Sequence, residues 1–263
     1  MAKLLPRSRS ARWLAAATLL LLAVLLIRHV LPQTARAAMV RADPDMVLAD
    51  PALAAVALPL GRSVFARHCA GCHGIAGEAD AARGVPSLRD GEHLYGEGRV
   101  AEIESIVRHG IRSGDRKGWN LAAMPAYASA RPYAAEPIPP LTPQETEDVT
   151  QFLLGLARRS TDDAAAARGT DDAAAARGRR IYGGSGGCWD CHGVDARGDP
   201  AVGAPDLADP VWLYGGTAAA IRRSIAYGRG GTSPAFARAL DAAAIRAVSA
   251  YVASLSAPPP ETP

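Results

Sequence analysis

No stretch of this chain alternates apolar and polar residues for long enough to form a sheet, which leaves an all-α fold. Aromatic side chains make up only 5% of the 263 residues. Repeat units of about 80 to 100 residues would then be marginal on side-chain packing alone, and call for a buried group that fills the interior. Cysteine and methionine are scarce, at four each. Four cysteines permit two disulfides or one tetrahedral zinc site, and little more. Acid is missing from residues 1–41, which hold seven Lys or Arg, so the +3 of the whole chain becomes −4 for residues 42–263. The basicity is therefore a targeting feature, and nothing supports nucleic-acid binding.

All four cysteines fall in two copies of one pattern, Cys69-Ala70-Gly71-Cys72-His73 and Cys188-Trp189-Asp190-Cys191-His192. C-x-x-C-H is the spacing that attaches c-type haem: both thiols can add to haem vinyl groups from one helical turn, and the adjacent imidazole reaches the iron. A disulfide or zinc reading does not explain why a histidine follows the second cysteine in both copies. The cofactor expectation is two covalent haem c groups, with Cys69, Cys72, Cys188 and Cys191 as attachment points and His73 and His192 as iron ligands.

The surrounding sequence repeats too. At an offset of 119, Val85-Pro86-Ser87-Leu88 falls on Ala204-Pro205-Asp206-Leu207 and Leu94-Tyr95-Gly96 on Leu213-Tyr214-Gly215. Further on, Met124-Pro125-Ala126-Tyr127 matches Ser233-Pro234-Ala235-Phe236, and the apolar positions Leu141, Val149, Phe152, Leu153 and Leu156 match Leu240, Val248, Tyr251, Val252 and Leu255 at helical spacing. Asp50-Pro51, Asp172, Thr142-Pro143-Gln144-Glu145 and Asp241 supply helix starts. Between the halves, Thr161–Gly169 is repeated identically as Thr170–Gly178, a helix-forming spacer whose second copy feeds the next helix. The loop from Arg131 to Pro140 is proline-rich, and the tail from Ala257 to Pro263 is expected to be disordered.

Residues Trp13 to Ile27 are uncharged and apolar, with Lys3, Arg7, Arg9 and Arg12 before them and Arg28 and His29 after. A cleaved signal peptide ending near Ala35-Arg36-Ala37 and a retained transmembrane anchor extending to Leu31 both fit. The anchor is preferred, because Arg28, His29 and Arg36 lie between the apolar run and the cleavage point. Either way the bulk of the chain is exported to the periplasm by the positive-inside rule.

The repeat alignment assigns the sixth ligands. Met124 stands as the distal ligand of the first haem, and a His/Met pair suits electron transfer. Ser233 occupies the same, vacant distal position in the second copy, and Asp162–Pro263 contains no methionine, no lysine and no histidine except His192. That iron is therefore five-coordinate or water-bound, or takes a ligand from Tyr227, Tyr251, the N-terminal segment or a partner subunit. Pro86 and Pro205, each thirteen residues after a proximal histidine, offer carbonyls to the imidazole N–H. His109 precedes Gly110 where the second copy has Tyr227-Gly228, and a polar contact to a haem propionate is one reading of it.

With these residues placed, the chain resembles the membrane-anchored dihaem subunit III of cbb-type haem-copper cytochrome c oxidases. The residues that carry the likeness are Cys69-Ala70-Gly71-Cys72-His73-Gly74, the run from Gly203 to Gly216 with Trp212-Leu213-Tyr214-Gly215-Gly216 at its end, and Gly228 to Phe236. The resemblance implies two class I cytochrome c domains in tandem behind an N-terminal transmembrane helix or signal segment. The divisions are a basic N-terminus and anchor over 1–31, a linker and leading helix over 32–58, a first domain over 59–158, a linker over 159–177, a second domain over 178–256 and a tail over 257–263. It implies single-electron transfer in a periplasmic respiratory chain toward a terminal oxidase, with the membrane and redox proteins as partners. Ser233 departs from the family's methionine. That departure keeps open a gas- or peroxide-reactive second haem, beside the further reading of a cytochrome subunit of a periplasmic dehydrogenase.

Overall fold

The computed structural model describes residues 9–129, 140–159 and 171–256, so the chain before Arg9, most of the proline-rich loop, the first copy of the duplicated spacer and the tail lie outside the described residues. Among the described residues ten α-helices form in chain order: α1 (Arg9–Leu25), α2 (Leu31–Arg41), α3 (Pro51–His68), α4 (Ala70–His73), α5 (Val100–His109), α6 (Pro143–Arg159), α7 (Asp172–Tyr182), α8 (Trp189–His192), α9 (Ala218–Tyr227) and α10 (Ala242–Ser256). Among the described residues there are no strands, only isolated bridges.

The helices start where polar side chains can take up free N–H groups. Asp50 accepts from Ala52 and Leu53 with Pro51 at the first helical position, and Thr142 and Glu145 exchange a capping box. Asp241 accepts from Ala244. At α7 the cap is Asp171 rather than Asp172, since only the residue just outside the first turn can reach the N–H groups of Ala173 and Ala174.

A π turn at Leu26–Val30 separates α1 from α2, leaving pieces of 17 and 11 residues. Among the described residues no helix is long and apolar enough to cross a membrane, so the transmembrane helix expected from Trp13–Leu31 is not present as one uninterrupted α-helical span. Residues 32–58 also differ from a plain linker. Met39 and Val47 are fully buried with Ala57, Val100 and Ala247, and Arg246 of α10 donates to the Met39 and Ala42 carbonyls at 3.0 and 2.8 Å while pairing with Glu104. The end of α2 is thereby fixed to the body of the protein.

The two repeats exchange their closing halves. Helix α10, which ends the second repeat, packs on α3 and α5 of the first, and α6, which ends the first repeat, packs on α7 and α9 of the second. The crossings are matched in detail. Phe65 of α3 meets Tyr251 of α10 with ring centroids 5.4 Å apart, and Tyr182 of α7 meets Phe152 of α6 at 5.3 Å. Each crossing is close enough to require glycine, because a Cβ on Gly61 would overlap the Ala247 carbonyl and one on Gly178 the Asp148 carbonyl. The sequence boundaries 59–158 and 178–256 mark the repeats but not the packed units.

Candidate haem site

The exchange begins directly after α5 and α9. Ile111 and Ser233 pair through both backbone groups, at 3.0 and 2.9 Å, and Met124 and Arg229 do the same at 2.8 and 3.1 Å. The following residues continue the pattern: Phe236 N–H donates to Val107 at 2.9 Å, and Tyr127 N–H donates to Ile225 at 3.0 Å. Met124 thus packs against the core of Phe152, Tyr182, Ile221 and Ile225, on which Cys188 also packs. Ser233 joins the end of α5.

Met124 therefore lies with the second motif, and Ser233 with the first. The sequence alignment assigned them the other way round, to His73 and His192 respectively. It establishes which positions are equivalent; a symmetric exchange preserves that equivalence while changing which copy each residue packs into.

One continuous cavity of about 750 Å3 is lined by Cys69, Cys72, His73, Pro86, Met124, Cys188, Cys191, His192, Pro205 and Ser233. His109 is not among its lining residues: its Nδ1 lies 3.2 Å from Asp115 Oδ2 instead. No disulfide joins any of the four cysteines. Among the described residues no group of three or more His, Cys, Asp or Glu is arranged to hold a metal ion.

The donor set fits covalent haem. Helices α4 and α8 each form one turn that carries the second cysteine and the histidine of its motif. Burial lowers the pKa of both His73 and His192 and keeps the imidazoles neutral, as iron ligation requires, although the Pro86 and Pro205 carbonyls pull the other way. The His192 Nδ1–H donates to the Pro205 carbonyl at 3.0 Å. Because a carbonyl can only accept, this contact fixes the proton on Nδ1 and frees Nε2 for iron. His73 Nδ1 is buried without a hydrogen-bond partner in good geometry, despite the nearby Pro86 carbonyl.

The cysteine environments differ in charge. Burial, followed by the charge of Cys72, pushes the Cys69 thiol up to about 11. Burial together with Asp190 and Asp199 raises Cys191. Arg83 donates to the Gly71 carbonyl at 3.2 Å and reaches Cys72 Sγ at 3.4 Å. The first motif thus carries a cation beside its exposed thiol, and the second lies among carboxylates. Sequence reasoning missed Arg83, whose link to the motif depends on loop geometry.

The sequence model of cytochrome c matches residues 59–157 and 175–256. The cbb3-type cytochrome c oxidase subunit CcoP of Rhodobacter capsulatus is 36% identical over 225 residues, covering 82% of this chain and 68% of that protein. The FixP subunit of Bradyrhizobium sp. (strain ORS 278) is 35% identical over 209 residues, covering 78% of this chain and 63% of its own length. CcoP of Cereibacter sphaeroides is 32% identical over 222 residues, covering 84% and 69%. The two matched domains and the two C-x-x-C-H motifs together account for two covalently bound haem c groups. The chain belongs to the cytochrome c family and, within it, to the CcoP and FixP subunits of cbb3-type cytochrome c oxidases.

Proposed function

We propose that this chain is a membrane-anchored dihaem relay that passes single electrons toward the catalytic subunit of a terminal oxidase, with Met124 serving the haem held by His192. The observation that carries the reading is the one cavity shared by both motifs, which brings the two redox groups into one mainly apolar space. Haem bound there supplies one-electron storage at the iron. The protein's own part is positional: neutral His73 and His192 present ring nitrogens, the Pro205 carbonyl holds one tautomer, and Met124 offers a soft, weakly donating thioether that favours ferrous iron and so raises the potential.

For the first haem the opposing position falls to Ser233, whose hydroxyl is a poor ligand for ferrous iron. His68, exposed beside Phe236 with ring centroids 6.2 Å apart, and His93, packed against Gly98, also line the cavity. A haem open on that side would still relay electrons, and it would also accept a small exogenous ligand.

Anchoring is supported by the exposed apolar side chains of α1 and the residues after it, with Trp13 76%, Leu19 67% and Ile27 60% accessible. Backbone angles at Leu25 and Leu31 remain helical across the π turn, so helical structure persists over about the 20 residues that a span needs. The basic N-terminus stays on the cytoplasmic side and the haem units face the periplasm.

The test is reoxidation. Reduced protein in membranes that hold the catalytic oxidase subunits should be reoxidised on mixing with oxygen, whereas the purified chain alone should not turn over oxygen or hydrogen peroxide. Sustained oxygen or peroxide consumption by the purified chain would identify an enzyme instead.

A further inference from the structure

Equivalent positions of the two repeats carry opposite charge where their helices cross. At the offset of 99 that superposes the closing helices, Glu147 of α6 falls on Arg246 of α10. At the offset of 118 that superposes Ile103, Val107 and Gly110 on Ile221, Ile225 and Gly228, Glu104 of α5 falls on Arg222 of α9. The four residues meet as two ion pairs: Arg246 donates to Glu104, and Arg222 donates to Glu147 at 2.6 Å.

Both pairs depend on the exchange of closing halves. If each closing helix packed on its own repeat instead, the same positions would set Glu147 of α6 against Glu104 of α5, and Arg246 of α10 against Arg222 of α9. Two attractions would become two repulsions. The Arg246 and Glu104 side chains are only 8% and 13% accessible, so water screens that position poorly, whereas Arg222 and Glu147 are partly exposed and better screened. Like charge in such a place is costly, and it is a means by which an interface rejects a wrong partner.

A second set of equivalent positions gives the same preference. Asp148 of α6 falls on Ala247 of α10, and Arg177 of α7 falls on Leu60 of α3 at the offset of 117 that superposes Gly61 on Gly178. Asp148 is buried with Arg177 on both of its carboxylate oxygens at 2.7 Å, while Ala247 and Leu60 share one apolar cluster. Returning the helices to their own repeats would bury the Asp148 carboxylate beside Leu60 without its cation.

We infer that Glu104, Arg222, Glu147 and Arg246 are positioning residues whose charge order decides which haem receives Met124. The Met124 loop leads into α6: Tyr127 N–H donates to the Ile225 carbonyl of α9, and Leu141 N–H, just before α6, donates to the Tyr127 carbonyl at 2.9 Å. The Ser233 loop leads into α10 in the same way, with Phe236 N–H on the Val107 carbonyl of α5 and Leu240 N–H on the Phe236 carbonyl at 2.9 Å. Each closing helix therefore takes its loop with it. Opposite charge seats α6 beside α9 and α10 beside α5, which carries Met124 to the second motif and Ser233 to the first. The inference rests on the reading of Met124 as the ligand of the haem held by His192.

The test counts methionine-ligated haem in full-length holoprotein carrying Cys188→Ala and Cys191→Ala, which keeps only the haem of His73. With the parent charges that haem is open and binds carbon monoxide. Adding Glu147→Arg and Arg222→Glu keeps opposite charge at both crossings and gives the returned arrangement opposite charge as well, so the charge order no longer chooses between them. The ratio of low-spin haem that ignores carbon monoxide to open haem should rise about tenfold or more, and Met124→Ala should cancel the rise. Arg223→Glu, an exposed charge change on the same helix, should leave the ratio in place. An unchanged ratio in the paired variant, a rise that survives Met124→Ala, or an equal rise with Arg223→Glu would overturn the inference.

Should the paired variant fail to load haem, Glu147→Gln with Arg222→Gln removes the two partly exposed charges and leaves Arg246 with Glu104. The ratio should rise in the same direction, and no rise would overturn the inference. The parent background reports on the ligand reading separately. A methionine-ligated haem already present there removes that reading and the inference together, whereas an open haem whose ratio the variants do not move removes the charge order alone.

Discussion

Met124 and Arg229 exchange both of their backbone hydrogen bonds, Met124 N–H donating to the Arg229 carbonyl at 2.8 Å and Arg229 N–H to the Met124 carbonyl at 3.1 Å. The pair joins the first repeat's Met124 loop to the end of the second repeat's α9. Its counterpart, Ile111 with Ser233, returns the second repeat's loop to the first. The haem units are consequently built from both repeats, and a change in one repeat is expected to be felt at the other repeat's haem.

The helix crossings give the plainest stability prediction. Gly178→Ala would drive a methyl group into the α6 backbone at Asp148, and Gly61→Ala would do the same at Ala247 of α10. Each should cost about 1–3 kcal/mol by overpacking. Thermal unfolding followed at the Soret band should show it, and a melting temperature unchanged in either variant would mean that the helices do not cross at these glycines.

A second prediction concerns acid. Arg177, through its hydrogen bonds to Asp148, holds that carboxyl below its ordinary value, and so ties α7 to α6. A depressed folded-state pKa contributes stability that is present above the unfolded pKa and is lost as pH falls through the folded value. Arg177→Ala should therefore melt earlier than the parent at pH 7, with the gap closing below about pH 4. A gap that persists unchanged at pH 2 would show that the ion pair is not its source.

Carbon monoxide distinguishes open from ligated iron. An occupied sixth position must first lose its ligand, so reduced parent protein should bind about one carbon monoxide per two haems. Met124→Ala should raise this to two, and Ser233→Met should abolish it. Parent protein that ignores carbon monoxide would require a sixth ligand at the Ser233 side.

Membrane attachment is checked by fractionation. The full chain should stay with membranes through a high-salt wash, because hydrocarbon burial and not charge holds an apolar helix. A soluble product beginning at Ala38 would establish cleavage near Ala37.

Much of this was readable from local pattern. The two C-x-x-C-H motifs, the helix caps at Asp50, Thr142 and Asp241, and the Pro205 carbonyl on His192 all depend on residues close in sequence, whereas the matching contact of Pro86 with His73 is not made in good geometry. The partner of Met124 was not readable. Leu141, Val149 and Phe152 have the same helical spacing whichever first helix they meet, since Gly61-Arg62-Ser63-Val64-Phe65 and Gly178-Arg179-Arg180-Ile181-Tyr182 offer equivalent surfaces. Periodicity defines a face and leaves its partner open.

The exchange itself is tested most directly by removing one haem at a time and recording the spin state of the one that remains. Replacing Cys188 and Cys191 by Ala should leave a haem without methionine ligation that binds carbon monoxide, while replacing Cys69 and Cys72 by Ala should leave a low-spin, methionine-ligated haem that does not. The reverse result, a methionine-ligated haem surviving the loss of Cys188 and Cys191, would contradict the crossed arrangement and return Met124 to His73.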